Sequence, residues 1–135
     1  MPLPISRCNT AGARLLLGFA LLVITGMALT PSPGVIQQSV NDKLGHLMAF
    51  LVLAFLTHAS WPELKFSWRQ IIPLATYGLA IEISQYFIPD RYFSLLDIAA
   101  DCAGIGLYML LIPLTIRLLR VFAKDDIDIS KSIHR

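Results

Sequence analysis

The chain has 135 residues, of which 56% are hydrophobic and only 15% are charged, and its formal net charge is +2. Its mean hydropathy is +0.65. A water-soluble domain of this length would have too few polar residues to cover its surface, so the composition predicts a membrane protein. The small net charge, with basic residues placed beside apolar segments, argues against a nucleic-acid-binding protein.

Four apolar segments are long enough to form transmembrane helices, which need about 20 residues to cross a hydrocarbon core of about 30 Å. They predict an all-α bundle of four transmembrane helices, at about 12–29, 44–61, 70–88 and 97–117. Prolines after the first three segments support these limits, because proline does not continue a helix. The same limits place Pro73 in the first turn of the third helix, where its missing N–H costs little, and Pro113 inside the fourth.

Basic residues flank the predicted helices unequally. Nine lie on the side that holds both termini, and only Lys43 and Arg91 lie on the other side. Lys and Arg beside a span resist translocation, so this bias predicts that both termini are cytoplasmic. We therefore expect one membrane domain over 1–123 and a charged cytoplasmic tail over 124–135. The nine residues are Arg7, Arg14, Lys65, Arg69, Arg117, Arg120, Lys124, Lys131 and Arg135.

The first helix has an alternative interpretation as a cleaved signal peptide. Basic residues precede its apolar core, and Gly26-Met27-Ala28 supplies small residues at a suitable spacing. However, the apolar stretch is longer than the roughly 7 to 15 residues of a signal core, and cleavage would leave an odd number of spans. We therefore expect this helix to be retained.

Polar residues inside the predicted spans gather near the end of the bundle that lies opposite the termini. A charged side chain near the bilayer centre costs about 2.5 to 3.5 kcal/mol, so such residues usually face the bundle interior and have partners. Their spacing of three or four residues places them on shared helix faces. We predict that they form a polar pocket open to the outer face. The residues are Asp42, Lys43, His46, Glu82, Gln85, Arg91, Asp97 and Asp101.

Some of these residues also fit structural roles. Asp42 could be the N-cap of the second helix, and Ser94 with Asp97 fits a capping box at the start of the fourth. Ala100 and Gly104 have the small-xxx-small spacing that permits close contact between helices. The sequence alone leaves structural and functional roles open for these positions.

The sequence favours a functional role most for Glu82 and least for His58. A lone carboxylate within a span is costly, so a functional role is favoured for Glu82, and His46 or Arg91 could be its partner. His58 lies at the opposite end of the second helix from the predicted pocket. We expect it to be incidental.

Three segments of the chain carry a shared pattern of polar residues. The pattern is Asp-Lys-x-x-His at the head of one helix, Glu-x-x-Gln followed by an Arg-containing loop, and Asp-x-x-x-Asn/Asp before a glycine. The segments are Asp42-Lys43-Leu44-Gly45-His46, Glu82-Ile83-Ser84-Gln85 with Pro89-Asp90-Arg91, and Asp97-Ile98-Ala99-Ala100-Asp101 before Gly104. In this order, over roughly residues 40–110, they closely resemble the VanZ-like family of bacterial membrane proteins. The family more often has asparagine where this chain has Asp101.

This resemblance implies a multi-pass protein of the bacterial cytoplasmic (inner) membrane with a role in the cell envelope. The family takes its name from a protein associated with resistance to the glycopeptide teicoplanin. An effect on glycopeptide susceptibility is therefore expected, while the resemblance supplies neither a substrate nor a settled mechanism.

Three classes of function remain open. In the first, which we favour, the pocket binds or modifies an envelope lipid headgroup or a lipid-linked cell-wall intermediate, with cations on phosphate and carboxylates on sugar or amine groups. In the second, a membrane-embedded enzyme uses His46, Glu82 and Asp101 to hold Mg²⁺ or Mn²⁺ or to share acid and base work. In the third, the polar groups fix helix packing in a small scaffold or partner protein.

Overall fold

The computed structural model describes residues 7–31, 40–89 and 91–133. Over these ranges the chain is all-α, and the predicted bundle of four helices is confirmed. No strand occurs in the described ranges. The helices are α1 (Arg7–Ala28), α2 (Val40–Ser60), α3 (Trp68–Gln85) and α4 (Leu95–Ile133).

Three of the helices contain segments long and apolar enough to cross a membrane, namely Thr10–Ala28, Asn41–Ser60 and Leu95–Arg120. The remaining helix, α3, has only 18 residues and is more polar. Three of its polar residues, Gln70, Glu82 and Gln85, are buried, whereas Arg69 is exposed and Ser84 is half-buried. This helix therefore turns its polar face into the bundle, where the other helices shield it.

The start of α3 differs from the predicted one. The helix begins at Trp68, after Ser67 as N-cap, so Pro73 lies in its second turn rather than its first. Proline has no N–H, and at this position α3 therefore lacks the hydrogen bond that residue 73 would donate to the Arg69 carbonyl. The helix ends at Gln85, three residues before the predicted limit of about 88.

The end of α4 also differs from the predicted one. The helix continues through Ile133 instead of ending near 117, so the predicted tail over 124–133 is helical. Charged residues end a membrane-compatible segment, but they need not end a helix, because Lys and Arg are good helix formers. The apolar part of α4 does end at Arg120, close to the predicted limit.

The bundle core lies between α2 and its neighbours, and α2 contacts each of the other three helices. Its buried members include Phe50, Leu53 and Tyr108. Helices α2 and α4 approach each other closely at Gly104, where an added Cβ would collide with the Leu47 carbonyl oxygen. The predicted close helix contact is confirmed at Gly104.

The helices alternate in direction, and this gives the bundle two distinct ends. At one end, Gln85 of α3 donates a hydrogen bond to the carbonyl of Ala28 in the last turn of α1, and the first turns of α2 and α4 lie beside them. We call this the acidic end. At the other end, Arg14 of α1 donates to the carbonyl of Ser60 in the last residue of α2. We call this the basic end.

Candidate polar binding site

Five of the eight predicted pocket residues meet at the acidic end, and His46 lies at their centre. Its Nδ1 is 2.9 Å from Oδ1 of Asp101, and its Nε2 is 3.9 Å from Oε1 of Glu82. The Nζ atom of Lys43 lies 3.6 Å from Oδ1 of Asp97. Helices α2, α3 and α4 thus direct polar side chains to a common point. We call these five residues the acidic cluster.

Glu82 is fully buried and connects α3 to the start of α4. Its Oε2 accepts a hydrogen bond of 2.9 Å from the backbone N–H of Ser94. Its Oε1 has no hydrogen-bond partner within the described part of the chain and faces His46 instead. Of the two partners considered from the sequence, the structure places His46, and not Arg91, beside Glu82.

The predicted capping box at α4 is only half formed. The backbone N–H of Asp97 donates to Oγ of Ser94 at 3.3 Å, as the pattern requires. The reciprocal bond, from the Ser94 N–H to the Asp97 carboxylate, is replaced by the bond to Glu82. Because Glu82 takes over this role, the carboxylate of Asp97 is available to pair with Lys43.

Asp101 fits against α3 because residue 78 is a glycine. A Cβ at Gly78 would lie 2.5 Å from Oδ2 of Asp101 and 2.9 Å from the ring of Phe50. Sequence reasoning did not single out this position. The available signal was a glycine inside an apolar helix, where it is unfavourable unless another group approaches closely.

The acidic cluster contains more negative than positive groups. Three carboxylates face one ammonium and one imidazole, and Glu82, Asp97 and Asp101 are all at least 96% buried. If all three are ionised, one excess negative charge remains even when His46 is protonated. Charges in a low-dielectric interior interact strongly, so this excess calls for a shared proton or a bound cation.

A cavity of about 230 Å³ lies beside the acidic cluster, with His46 in its wall. Asp42, Gln85 and Arg91 also line it, together with apolar side chains such as Ile81. The cavity therefore contains the remaining three predicted residues. All eight predicted positions lie either in the cluster or around this cavity.

Two of the cavity residues tie α3 and the following loop to the end of α1. The amide of Gln85 donates to the Ala28 carbonyl at 3.2 Å. The guanidinium of Arg91 donates to the carbonyls of Met27 at 3.3 Å and Thr30 at 3.4 Å. These contacts place a cation at the carbonyl end of α1, where the helix dipole favours it. The Nε of Arg91 has no partner among the described residues.

Asp42 is not the N-cap of α2. The helix begins at Val40, and Asp42 lies within its first turn. A carboxylate in the first turn still interacts favourably with the helix dipole. Its side chain is exposed and borders the cavity. Asp90, which precedes Arg91 in the α3–α4 loop, lies outside the described residues.

His58 is not incidental, although it lies far from this cavity. It is fully buried, and its Nδ1 is 2.7 Å from the hydroxyl of Tyr108. The rings of Phe66 and Tyr108 pack around it, with centroids 5.6 Å and 5.9 Å away. The sequence feature that could have indicated this contact is Tyr108, a polar residue that follows Asp101 by about two helical turns on the same face of α4.

Comparison with known proteins identifies the family. The family model described as VanZ/LLP1 matches residues 14–119, more than three quarters of the chain. No curated protein and no solved structure matches the chain significantly. The matched region contains the acidic cluster and the cavity residues. The chain therefore belongs to the VanZ/LLP1 family and is a helical membrane protein.

Proposed function

We propose that the cavity at the acidic end binds the polar headgroup of an envelope lipid or of a lipid-linked cell-wall component. The observation that carries this proposal is the mixed lining of the cavity. Charged groups of both signs, Asp42 and Arg91, border it together with His46 and with apolar side chains. A headgroup attached to an acyl chain requires this combination of polar and apolar surfaces.

Individual side chains have matching roles in such a complex. The Nε–H of Arg91, which has no partner among the described residues, suits a phosphate oxygen, and the carbonyls of α1 hold the guanidinium in place. The exposed carboxylate of Asp42 suits an ammonium or hydroxyl group. Ile24, Met27 and Ile81 supply apolar surface for the adjoining chain.

The proposed setting is the bacterial cytoplasmic membrane, with the protein spanning it several times. The basic end carries Arg14, Lys65, Arg69 and Arg117, and positive charge beside spans favours the cytoplasmic side. The acidic end then faces outward, toward the leaflet where cell-wall intermediates are used. An altered susceptibility to teicoplanin is the expected cellular consequence.

Replacing Arg91 by Gln tests this proposal. We expect the purified variant to retain several-fold less of at least one lipid species that co-purifies with the parent, measured by mass spectrometry of the detergent-solubilised protein. Arg117→Gln is the matched control, because Arg117 is an exposed arginine of α4 far from the cavity. Equal lipid retention by the parent and both variants would contradict binding at this cavity.

A second candidate function is that of a metal-dependent enzyme in the membrane. His46, Glu82 and Asp97 each offer a ligand atom, and these atoms lie within 4.8 Å of one another. The sequence-based prediction chose Asp101 as the third ligand. The structure instead places Asp101 on Nδ1 of His46, which is where a carboxylate commonly orients a metal-binding imidazole. One nitrogen and two carboxylate ligands suit Mn²⁺ or Mg²⁺, which would supply a Lewis acid.

Mn²⁺ binding tests this second candidate. Titration of the chelator-treated protein with Mn²⁺, followed by electron paramagnetic resonance, should show about one bound ion per chain. Asp97→Asn should weaken binding at least tenfold, whereas Glu63→Gln, at an exposed position of the α2–α3 loop, should not. No saturable binding to the parent would exclude the metal site and leave the lipid proposal intact.

A further inference from the structure

A second cavity lies at the basic end, about 380 Å³ in volume, between α1, α2 and α3. Its wall is mainly apolar and includes Leu17 and Leu21 of α1 and Leu74 of α3. This volume is within the range of about 300 to 1,000 Å³ that is typical of small-molecule sites. None of the residues of the acidic cluster lines this cavity.

Gln70 places a polar group in this apolar wall. Its side chain is only 6% exposed, and neither Nε2 nor Oε1 has a hydrogen-bond partner among the described residues. Buried amides are nearly always hydrogen-bonded, because an unsatisfied donor or acceptor keeps its full desolvation cost. The other buried glutamine of α3, Gln85, follows this rule by donating to the Ala28 carbonyl. The amide of Gln70 therefore indicates a ligand that both accepts and donates.

One cationic side chain borders the same cavity, and a second lies against a residue of its wall. Arg69 lines it, with its guanidinium 5.6 Å from the centroid of the Trp68 ring. Trp61, which directly follows α2, also lines it, and the guanidinium of Arg14 lies 5.5 Å from the centroid of its ring. Tryptophan and arginine in this arrangement are typical of the level of lipid headgroups. The charge at the mouth of the cavity is thus complementary to an anion.

We propose that this cavity binds a membrane glycerophospholipid with an anionic, hydroxyl-bearing headgroup. Its phosphate pairs with Arg69, one hydroxyl both donates to and accepts from the Gln70 amide, and an acyl chain lies along Leu17, Leu21 and Leu74. A hydroxyl is the smallest group that satisfies both atoms of an amide. An ammonium group only donates and is repelled by Arg69, and a choline group does neither. This inference does not depend on the function proposed for the acidic end.

Tryptophan quenching by brominated lipids measures this selectivity directly. Trp61 lines the cavity, and Trp68→Phe leaves it as the only tryptophan of the full chain. The protein is reconstituted into phosphatidylcholine vesicles that contain increasing fractions of either brominated phosphatidylglycerol or brominated phosphatidylcholine. We expect half-maximal quenching at a fraction at least fivefold lower for phosphatidylglycerol. Equal quenching by the two lipids would overturn the proposal, because it would show ordinary boundary lipid only.

Variants then assign the selectivity to the two polar groups. Gln70→Leu, and Gln70→Met where the first does not fold, should reduce the preference for phosphatidylglycerol to less than twofold. Arg69→Gln should do the same, whereas Arg117→Gln, an exposed arginine at the same end but outside the cavity, should keep the preference. If the Gln70 variants keep the full preference for phosphatidylglycerol, the proposed role of the Gln70 amide is overturned. Equal quenching by brominated phosphatidylserine would overturn hydroxyl recognition, because charge alone would then select the lipid.

Discussion

The two histidine contacts of α2 with α4 differ in burial and in the charge of their partners. His46 and His58 both meet a residue of α4, Asp101 at 2.9 Å and Tyr108 at 2.7 Å. The side chain of His46 keeps 16% of its surface exposed and borders a cavity. His58 is completely buried. The same pairing of α2 with α4 is therefore open and charged at one end and closed at the other.

The surroundings of the two histidines explain this difference. Aromatic rings pack around His58, and its partner is a neutral hydroxyl, an arrangement that adds to stability. His46 lies among three carboxylates. A buried group of charges with one sign in excess rarely adds to stability, because desolvation costs more than the pairing returns. We infer that the His58 contact is structural and that the acidic cluster is kept for binding.

The close approach of α2 and α4 at Gly104 supports both histidine contacts. Replacing this glycine should therefore have the largest effect on the free energy of unfolding. Asp101 and Tyr108 lie on either side of Gly104 on the same face of α4, and an added Cβ there meets the backbone of α2 at Leu47. Backbone cannot move aside as a flexible side chain can, so Gly104→Val should lower the free energy of unfolding by about 3 kcal/mol. Thermal unfolding in detergent, followed by circular dichroism, measures this loss.

Gly106 provides the matched control for that prediction. It lies two residues further along α4, and an added Cβ there has no neighbour within 4 Å. Gly106→Val should therefore unfold at or above the temperature of the parent. Similar unfolding temperatures for the two variants would mean that α2 and α4 do not approach each other closely at Gly104.

The hydroxyl of Tyr108 should contribute an intermediate effect that is confined to stability. Tyr108→Phe removes the group that Nδ1 of His58 bonds, and loss of a buried hydrogen-bond partner costs about 1 to 3 kcal/mol. Lipid retention at the acidic end should be unchanged at temperatures where the variant is folded. Tyr92→Phe is the control, because Tyr92 is 67% exposed. Loss of lipid retention in Tyr108→Phe would show that the two ends are coupled.

The sequence was sufficient to predict the helices and the residues of the acidic end. Apolar length located the four helices, and spacings of three or four residues identified the faces that carry His46, Glu82 and Asp101. Spacing specifies a face within one helix, but it does not specify how neighbouring helices are rotated against each other. For that reason the choice between His46 and Arg91 as partner of Glu82 required the structure.

Several contacts could not be predicted from one helix at a time. The bond from the Ser94 N–H to Glu82 joins the start of α4 to α3, while the local capping pattern pointed to Asp97. Gly78 makes room for Asp101 only because α3 and α4 approach each other there. Gln70 gave no signal as a lone amide in an apolar segment, since its missing partners appear only after folding.

The smallest effect on stability is expected for Glu82→Gln, and this variant tests the comparison most directly. The amide oxygen of glutamine can still accept the hydrogen bond from the Ser94 N–H. Removing one buried negative charge also relieves the excess in the acidic cluster, so the free energy of unfolding should stay within about 1 kcal/mol of the parent. Lipid retention at the acidic end should nevertheless fall, because His46, which lines the cavity, loses the carboxylate that faces it, with Glu63→Gln as the control. If Glu82→Gln instead unfolds as early as Tyr108→Phe, then Glu82 serves packing as His58 does, and the acidic end is a structural feature of the bundle.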